Sequence, residues 1–165
     1  MKKIGLISDT HSCIDDKFKK YFSCCDEIWH AGDIGSLDVT DYLATIAPLR
    51  AVYGNIDDHL IRSEFPLHQR FTLEGVDVWM THIGGTPSRY SHYVIDEIYK
   101  NPPKLFICGH SHICKVQMDG KIKSLYMNPG AAGNKGFHKI RTLLRFDLEK
   151  GEIKNLEVIE LGTRG

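Results

Sequence analysis

Short apolar runs alternate with polar or glycine-rich breaks along the chain, and most runs end on side chains suited to chemistry. Ile4–Ile7 reads as a buried strand and stops at Ser8-Asp9-Thr10-His11. A loop and a weakly amphipathic helix over Asp16–Phe22 follow, then a strand over Glu27–His30 broken by Ala31-Gly32-Asp33. Ser36 is placed to cap a helix over Leu37–Ile46, with Asp38 in its first turn and Pro48 past its end. A third strand, Leu49–Tyr53, runs into Gly54-Asn55-Ile56-Asp57, and Asp57 and Asp58 are expected to cap a helix after Asn55.

The second half reads differently. Arg70–Leu73 and Val76–Thr81 predict a hairpin that turns at Glu74-Gly75 and delivers His82. Thr86-Pro87 has the form of a helix start, and the pattern predicts a helix from there to about Lys100, stopped by Asn101-Pro102-Pro103. The strand Lys104–Cys108 delivers Gly109-His110-Ser111-His112. A hairpin of Lys115–Met118 and Lys121–Met127, turning at Asp119-Gly120, ends in Asn128-Pro129-Gly130. After a basic, glycine-rich loop over Ala131–His138, Thr142–Leu148 and Ile153–Leu161 close the chain around Lys150-Gly151. Mixed strands and helices followed by hairpins predict two packed sheets with helices outside.

At 165 residues the chain is expected to be one domain, 1–165, with room for a core that needs no disulfide or structural metal. A formal net charge of zero gives no global electrostatic case for nucleic acid or an anionic membrane. No apolar run approaches the roughly 20 residues that span a bilayer. Met1-Lys2-Lys3 leads into a strand and not a signal sequence. Five cysteines without zinc-finger spacing read as reduced thiols in a cytoplasm.

The strand ends carry the chemistry. Asp9, His11, Asp33, Asn55, His82, His110 and His112 supply seven nitrogen or oxygen donors from five strand ends. That is too many for one tetrahedral ion and suits two ions of higher coordination that share a carboxylate. Gly32, Gly54 and Gly109 stand just before three of these donors, where a sharp turn or positive φ is expected. Donors without thiolate suit manganese, iron, zinc or nickel, and the oxygen share favours manganese.

In the order Asp9-Thr10-His11, Gly32-Asp33, Gly54-Asn55-Ile56-Asp57, His82, Gly109-His110-Ser111-His112, the motifs resemble those of the calcineurin-like metallophosphoesterases. Short length, no added cap domain and the Asn128-Pro129-Gly130 turn resemble the small phosphodiesterase branch. The resemblance implies an α/β fold, a four-layer α/β/β/α sandwich of two mixed sheets flanked by helices. It implies two divalent metal ions, one held by Asp9, His11 and His112 and the other by Asn55, His82 and His110, with Asp33 bridging. Asp33, Asn55 and His110 are the catalytic candidates, and a small organic or nucleotide-like phosphodiester is the expected substrate. Two positions depart from the family pattern: Ile56 stands where a proton-donating His is usual, and Gly84 replaces the second His of the fourth motif. Asp57 is the alternative proton donor.

A protein-binding scaffold on the same fold, like the retromer subunit that resembles this family, is the competing expectation. It would be expected to have lost some of Asp9, His11, Asn55, His82, His110 or His112, and this chain keeps them all. A nuclease on long DNA would need a basic track, which is not found. His30 and His138 are expected to be structural, and His59, His68 and His92 to lie on surfaces. Cys13 is expected to be passive, Asn128-Pro129-Gly130 to line the site, and Lys135, His138, Lys139 and Arg141 to form a solvated face.

Overall fold

The computed structural model describes residues 1–165. In chain order the elements are β1 (Lys2–Ile7), α1 (Asp16–Phe22), β2 (Glu27–His30), α2 (Leu37–Ala44), β3 (Leu49–Ala51), α3 (His59–Glu64), β4 (His68–Leu73) and β5 (Val76–Thr81). There follow β6 (Gly85–Thr86), β7 (Arg89–Tyr90), α4 (Ile95–Lys100), β8 (Leu105–Ile107), β9 (Cys114–Asp119), β10 (Ser124–Pro129), β11 (Ile140–Glu149) and β12 (Glu152–Thr163). One sheet has the order β12-β11-β1-β2-β3 and the other β4-β5-β8-β10-β9. Both are mixed. β1, β2 and β3 run parallel and β11 antiparallel to β1, while β8 is parallel to both β5 and β10.

The apolar positions sort into three interiors, and these define four layers. Phe18, Phe22, Val39, Leu43 and Ile61 of the first three helices cover Ile7, Ile28 and Leu143 on the outer face of the first sheet. Ile4, Leu6, Trp29 and Phe146 face Val78, Met80, Ile107 and Met127 between the sheets. Val94 and Ile98, at α4, cover Trp79 and Phe106 on the outer face of the second sheet. The central strands are buried on both faces, which explains their near-continuous apolar runs. Gly5 is part of this packing, because a Cβ there would lie 2.5 Å from the Phe22 ring. No helix is long and apolar enough to cross a membrane.

Two local expectations are corrected. The helix expected from Thr86-Pro87 begins only at Ile95, and β6 and β7 form a small antiparallel ribbon before it. Ser88 takes a left-handed φ of 70°, Ser91 Oγ donates to the Ile83 carbonyl at 2.7 Å, and Tyr126 Oη donates to the Gly85 carbonyl at 2.7 Å. These tertiary bonds hold the segment extended against its local preference. In the second hairpin, Asp119 stays in β9 and does not turn, because its buried carboxylate accepts from Tyr90 Oη at 2.6 Å.

Candidate metal centre

All seven candidate donors lie in loops beyond the carboxyl ends of parallel strands, where layered α/β folds place ligands. Asp9 and His11 follow β1, Asp33 follows β2 and Asn55 follows β3, while His82 follows β5 and His110 and His112 follow β8. Four donors therefore come from one sheet and three from the other. Five of them sit in the left-handed region: Asp9 (φ 54°), His11 (44°), Asp33 (55°), His110 (70°) and His112 (61°). That backbone costs an L-residue about 1 kcal/mol or more each, and surrounding bonds must over-determine it. They do, through Asp9 N to the Gly32 carbonyl (2.9 Å), His11 N to the Asp33 carbonyl (3.0 Å) and Gly109 N to the His82 carbonyl (3.1 Å).

Of the three glycines before donors, only Gly32 has positive φ, at 102°. Gly54 serves close approach instead, since a Cβ there would land on Asp33 Oδ1.

The donors gather into two groups. Ligating atoms of Asp9, His11 and His112 lie within 4.8 Å of one another, as do those of Asp33, His82 and His110. Asp33 stands between them, with Oδ1 3.2 Å from His82 Nε2 and Oδ2 3.5 Å from His11 Nε2. Asn55 Oδ1 is 3.1 Å from His110 Nδ1 and so joins the second group. His82 Nδ1 donates to the Ala31 carbonyl at 2.8 Å, which leaves the Nε2 lone pair of the neutral ring aimed at Asp33.

Asp9 Oδ1, His11 Nε2 and His82 Nε2 are buried without any hydrogen-bond partner. Buried polar atoms are rarely left so, and a carboxylate oxygen facing ring nitrogens is the environment a cation satisfies. The charges agree. Burial pushes the Asp33 carboxyl up, but the His82 ring outweighs this and holds it below the usual carboxylate range. Burial lowers His82 in turn, yet the two carboxylates Asp33 and Asp9 raise it above its ordinary value. Asp9 raises His112 likewise. Each of the two groups has the residue types and spacing that could hold a metal ion.

Behind the donors lies a layer that is only partly legible from sequence. Asp9 Oδ2 accepts from Ser8 Oγ (2.6 Å) and His110 N (3.1 Å), which ties the β1 loop to the β8 loop. Asn128 is fully buried and donates to the Gly109 carbonyl (2.9 Å) and Ser111 Oγ (3.1 Å), so it braces the His110–His112 turn. Asp57 is 3% exposed and accepts from Gly54 N (2.7 Å), Ile34 N (3.1 Å) and Gly35 N (2.8 Å). Both of its oxygens are occupied, so the expectation of a proton donor there is corrected. Asp58 alone caps α3, through Ile61 N at 3.1 Å.

The remaining candidates also find places. His59 and His92 are exposed, whereas His68 is half-buried and accepts from Trp79 Nε1 at 3.3 Å. His138 packs its ring 5.2 Å from His112, and Arg141 pairs with Asp15 at 2.9 Å, so neither is part of a free basic rim. Cys13 contacts Arg141 at 3.8 Å.

His30 is structural, as expected, and it links the site's loops. It is wholly buried, its Nδ1 accepts from Gly32 N at 3.1 Å, and its Nε2 therefore donates to Thr10 Oγ1 at 3.0 Å. It thus connects the loops of Asp9 and Asp33. Burial pushes its pKa down to about 3 from 6.5. Below pH 6.5 the unfolded chain takes a proton that the folded chain refuses, so stability from this group falls as pH falls. The slope is about 1.4 kcal/mol per pH unit. Urea unfolding at a series of pH values between 6.5 and 4.5 should show a shallower slope in His30→Gln than in the natural protein. Parallel curves would contradict a neutral buried imidazole.

Comparison with known proteins agrees with this fold. A family model for the calcineurin-like phosphoesterase superfamily domain matches residues 1–151. A probable metallophosphoesterase of Methanothermobacter thermautotrophicus is 38% identical over 84 residues, which is 48% of this chain and 48% of that relative. The chain thus aligns to about half the length of that relative. The structure of an archaeal phosphodiesterase is 25% identical, with a TM-score of 0.73 over 96% of this chain and 99% of that one. Vps29 of Chaetomium thermophilum shares the fold at 18% identity, with a TM-score of 0.77 over 100% of both chains. Because the family match runs from β1 through the end of β11, the chain belongs to the calcineurin-like phosphoesterase superfamily.

Proposed function

We propose that the protein is a dinuclear metal-dependent phosphodiesterase acting on a small organic or nucleotide-like phosphodiester. The observation that carries this reading is Asp33, which turns one carboxylate oxygen toward each donor group. Asp9, His11 and His112 would hold one ion, Asn55, His82 and His110 the other, and Asp33 both. Bound there, divalent ions supply a water acidified to a nucleophile near neutral pH and positive charge against the phosphoryl oxygens. Manganese is favoured by the oxygens of Asp9, Asp33 and Asn55, with zinc, iron and nickel as the other candidates. Asn55 and His110, exposed at the mouth, would contact the phosphoryl group, and Asp33 would act through the ions it holds. Five free cysteines suit a cytoplasmic enzyme. A scaffold on the same fold is the second reading, supported by the full-length likeness to Vps29, which speaks to fold alone. Retention of all seven donors in two converging groups favours the enzyme.

Ile56 shapes the expected kinetics. Its side chain is 45% exposed beside Asn55, and it has no proton to give. With Asp57 locked, the departing oxygen leaves largely as an anion. A series of aryl phosphodiesters of graded phenol pKa, run with each of the four metals, should show a steep dependence of rate on leaving group. Ile56→His should flatten it, speeding the poorest leaving groups by up to about a hundredfold, the lower end of general-acid effects. Absence of diester cleavage with every metal would sink the phosphodiesterase reading. A flat plot for the natural protein would mean that another side chain supplies the proton.

A further inference from the structure

We infer that the cleft beside Asn55 and His82 seats the ester group of the substrate and selects a flat aromatic ring, aryl or nucleobase, over an alkyl chain. This rests on the phosphodiesterase reading and names the substrate class for it. The cleft has a volume of about 210 Å³, and Asn55 and His82 of the second donor group form part of its wall. A phosphoryl group held at those donors would therefore direct one of its esters into this space.

Tyr53, Leu67 and Tyr93 also line the cleft. Leu67 is 41% and Tyr93 56% exposed, so both carry apolar surface that a ring would cover. The cleft is also held rigid on one side. Arg62 lies with its guanidinium 4.7 Å from the Tyr53 ring centre. Its Nε donates to the Asp57 carbonyl at 2.7 Å and its Nη2 to the Asn55 carbonyl at 3.3 Å. Tyr53 is thus fixed by the same backbone turn that carries Asn55. At the far end His68 is oriented by Trp79, so its neutral ring presents an Nε2 proton. An aromatic wall fixed at Tyr53, with apolar surface at Leu67 and Tyr93, favours a rigid ring that loses little freedom on entry.

The test is calorimetric titration of manganese-loaded protein with three uncleavable anions of one head group: phenylphosphonate, cyclohexylphosphonate and methylphosphonate. Phenylphosphonate is expected to bind about tenfold tighter than methylphosphonate, and tighter than the cyclohexyl compound of similar bulk. Tyr93→Ala, and independently Leu67→Ala, should bring the phenyl-to-methyl ratio close to one. Equal affinities in the natural protein, a cyclohexyl group that matches phenyl, or a ratio untouched by both variants overturns the cleft assignment. If protein with its full ion content binds none of the three, the phosphodiesterase reading itself falls and the cleft with it.

Discussion

Protein stripped of divalent ions by chelation is expected to hydrolyse no phosphodiester above background, and manganese should restore the rate. Without ions, Asp9 and Asp33 leave their charge uncompensated at the place where an anionic phosphoryl group must sit. The chain itself offers no side chain placed to replace an acidified water. Losing that nucleophile together with the charge that meets the phosphoryl oxygens should cost at least about a thousandfold. Reloading should also stabilise the fold, since three buried atoms gain partners. At free ion a thousand times its dissociation constant, the gain is about 4 kcal/mol. Elemental analysis of the reloaded protein should give two ions per chain. A value of one would leave a mononuclear site, and full activity in ion-free protein would end the metal mechanism.

Among single substitutions, Asp33→Asn should be the most damaging. Asp33 Oδ1 accepts from Ile56 N at 3.1 Å, so an amide in its place would keep its oxygen there. Its NH2 would then face His11 Nε2, which Asp33 Oδ2 now approaches to 3.5 Å. The variant keeps the shape, loses the charge that offsets two cations, and points donor hydrogens at the first group. Activity is expected to fall about a thousandfold or more, with at least one ion lost per chain. A variant that retains both ions and a rate within tenfold would show that Asp33 is not the bridge.

The layered fold was legible because its central strands are covered on both faces and print as unbroken apolar runs. The donor positions were legible for a related reason, since each such run stops abruptly on Asp, Asn or His. What the runs cannot print is which polar residue faces inward. His30 ends a strand exactly as a surface histidine would, and only the neighbouring β1 loop makes it a buried link between Asp9 and Asp33. Asp57 and Asp58 are adjacent carboxylates, and the folding of the distant Ile34–Gly35 loop onto the first decides which one caps the helix. Thr86-Pro87 satisfies both the helix-start and the turn pattern, and Tyr126, far along the chain, settles it. The cleft was out of reach altogether, because Tyr53, Leu67 and Tyr93 meet only after both sheets have packed.

The strand order of the first sheet has a consequence for synthesis. β1, made well before β11, lies between β2 and that later strand. The carbonyl of Asp9 accepts from Gly133 N at 3.1 Å, and that of Ser8 from Ala132 N at 2.9 Å. A ribosome-bound chain therefore exposes Asp9 and His11 long before His112 exists to complete their group, and longer before Gly133 arrives to clamp the loop. Until then the nascent protein carries these ligands without a complete group. An ion held by Asp9, His11 and His112 would accordingly be bound late, after the closing strands have emerged and docked.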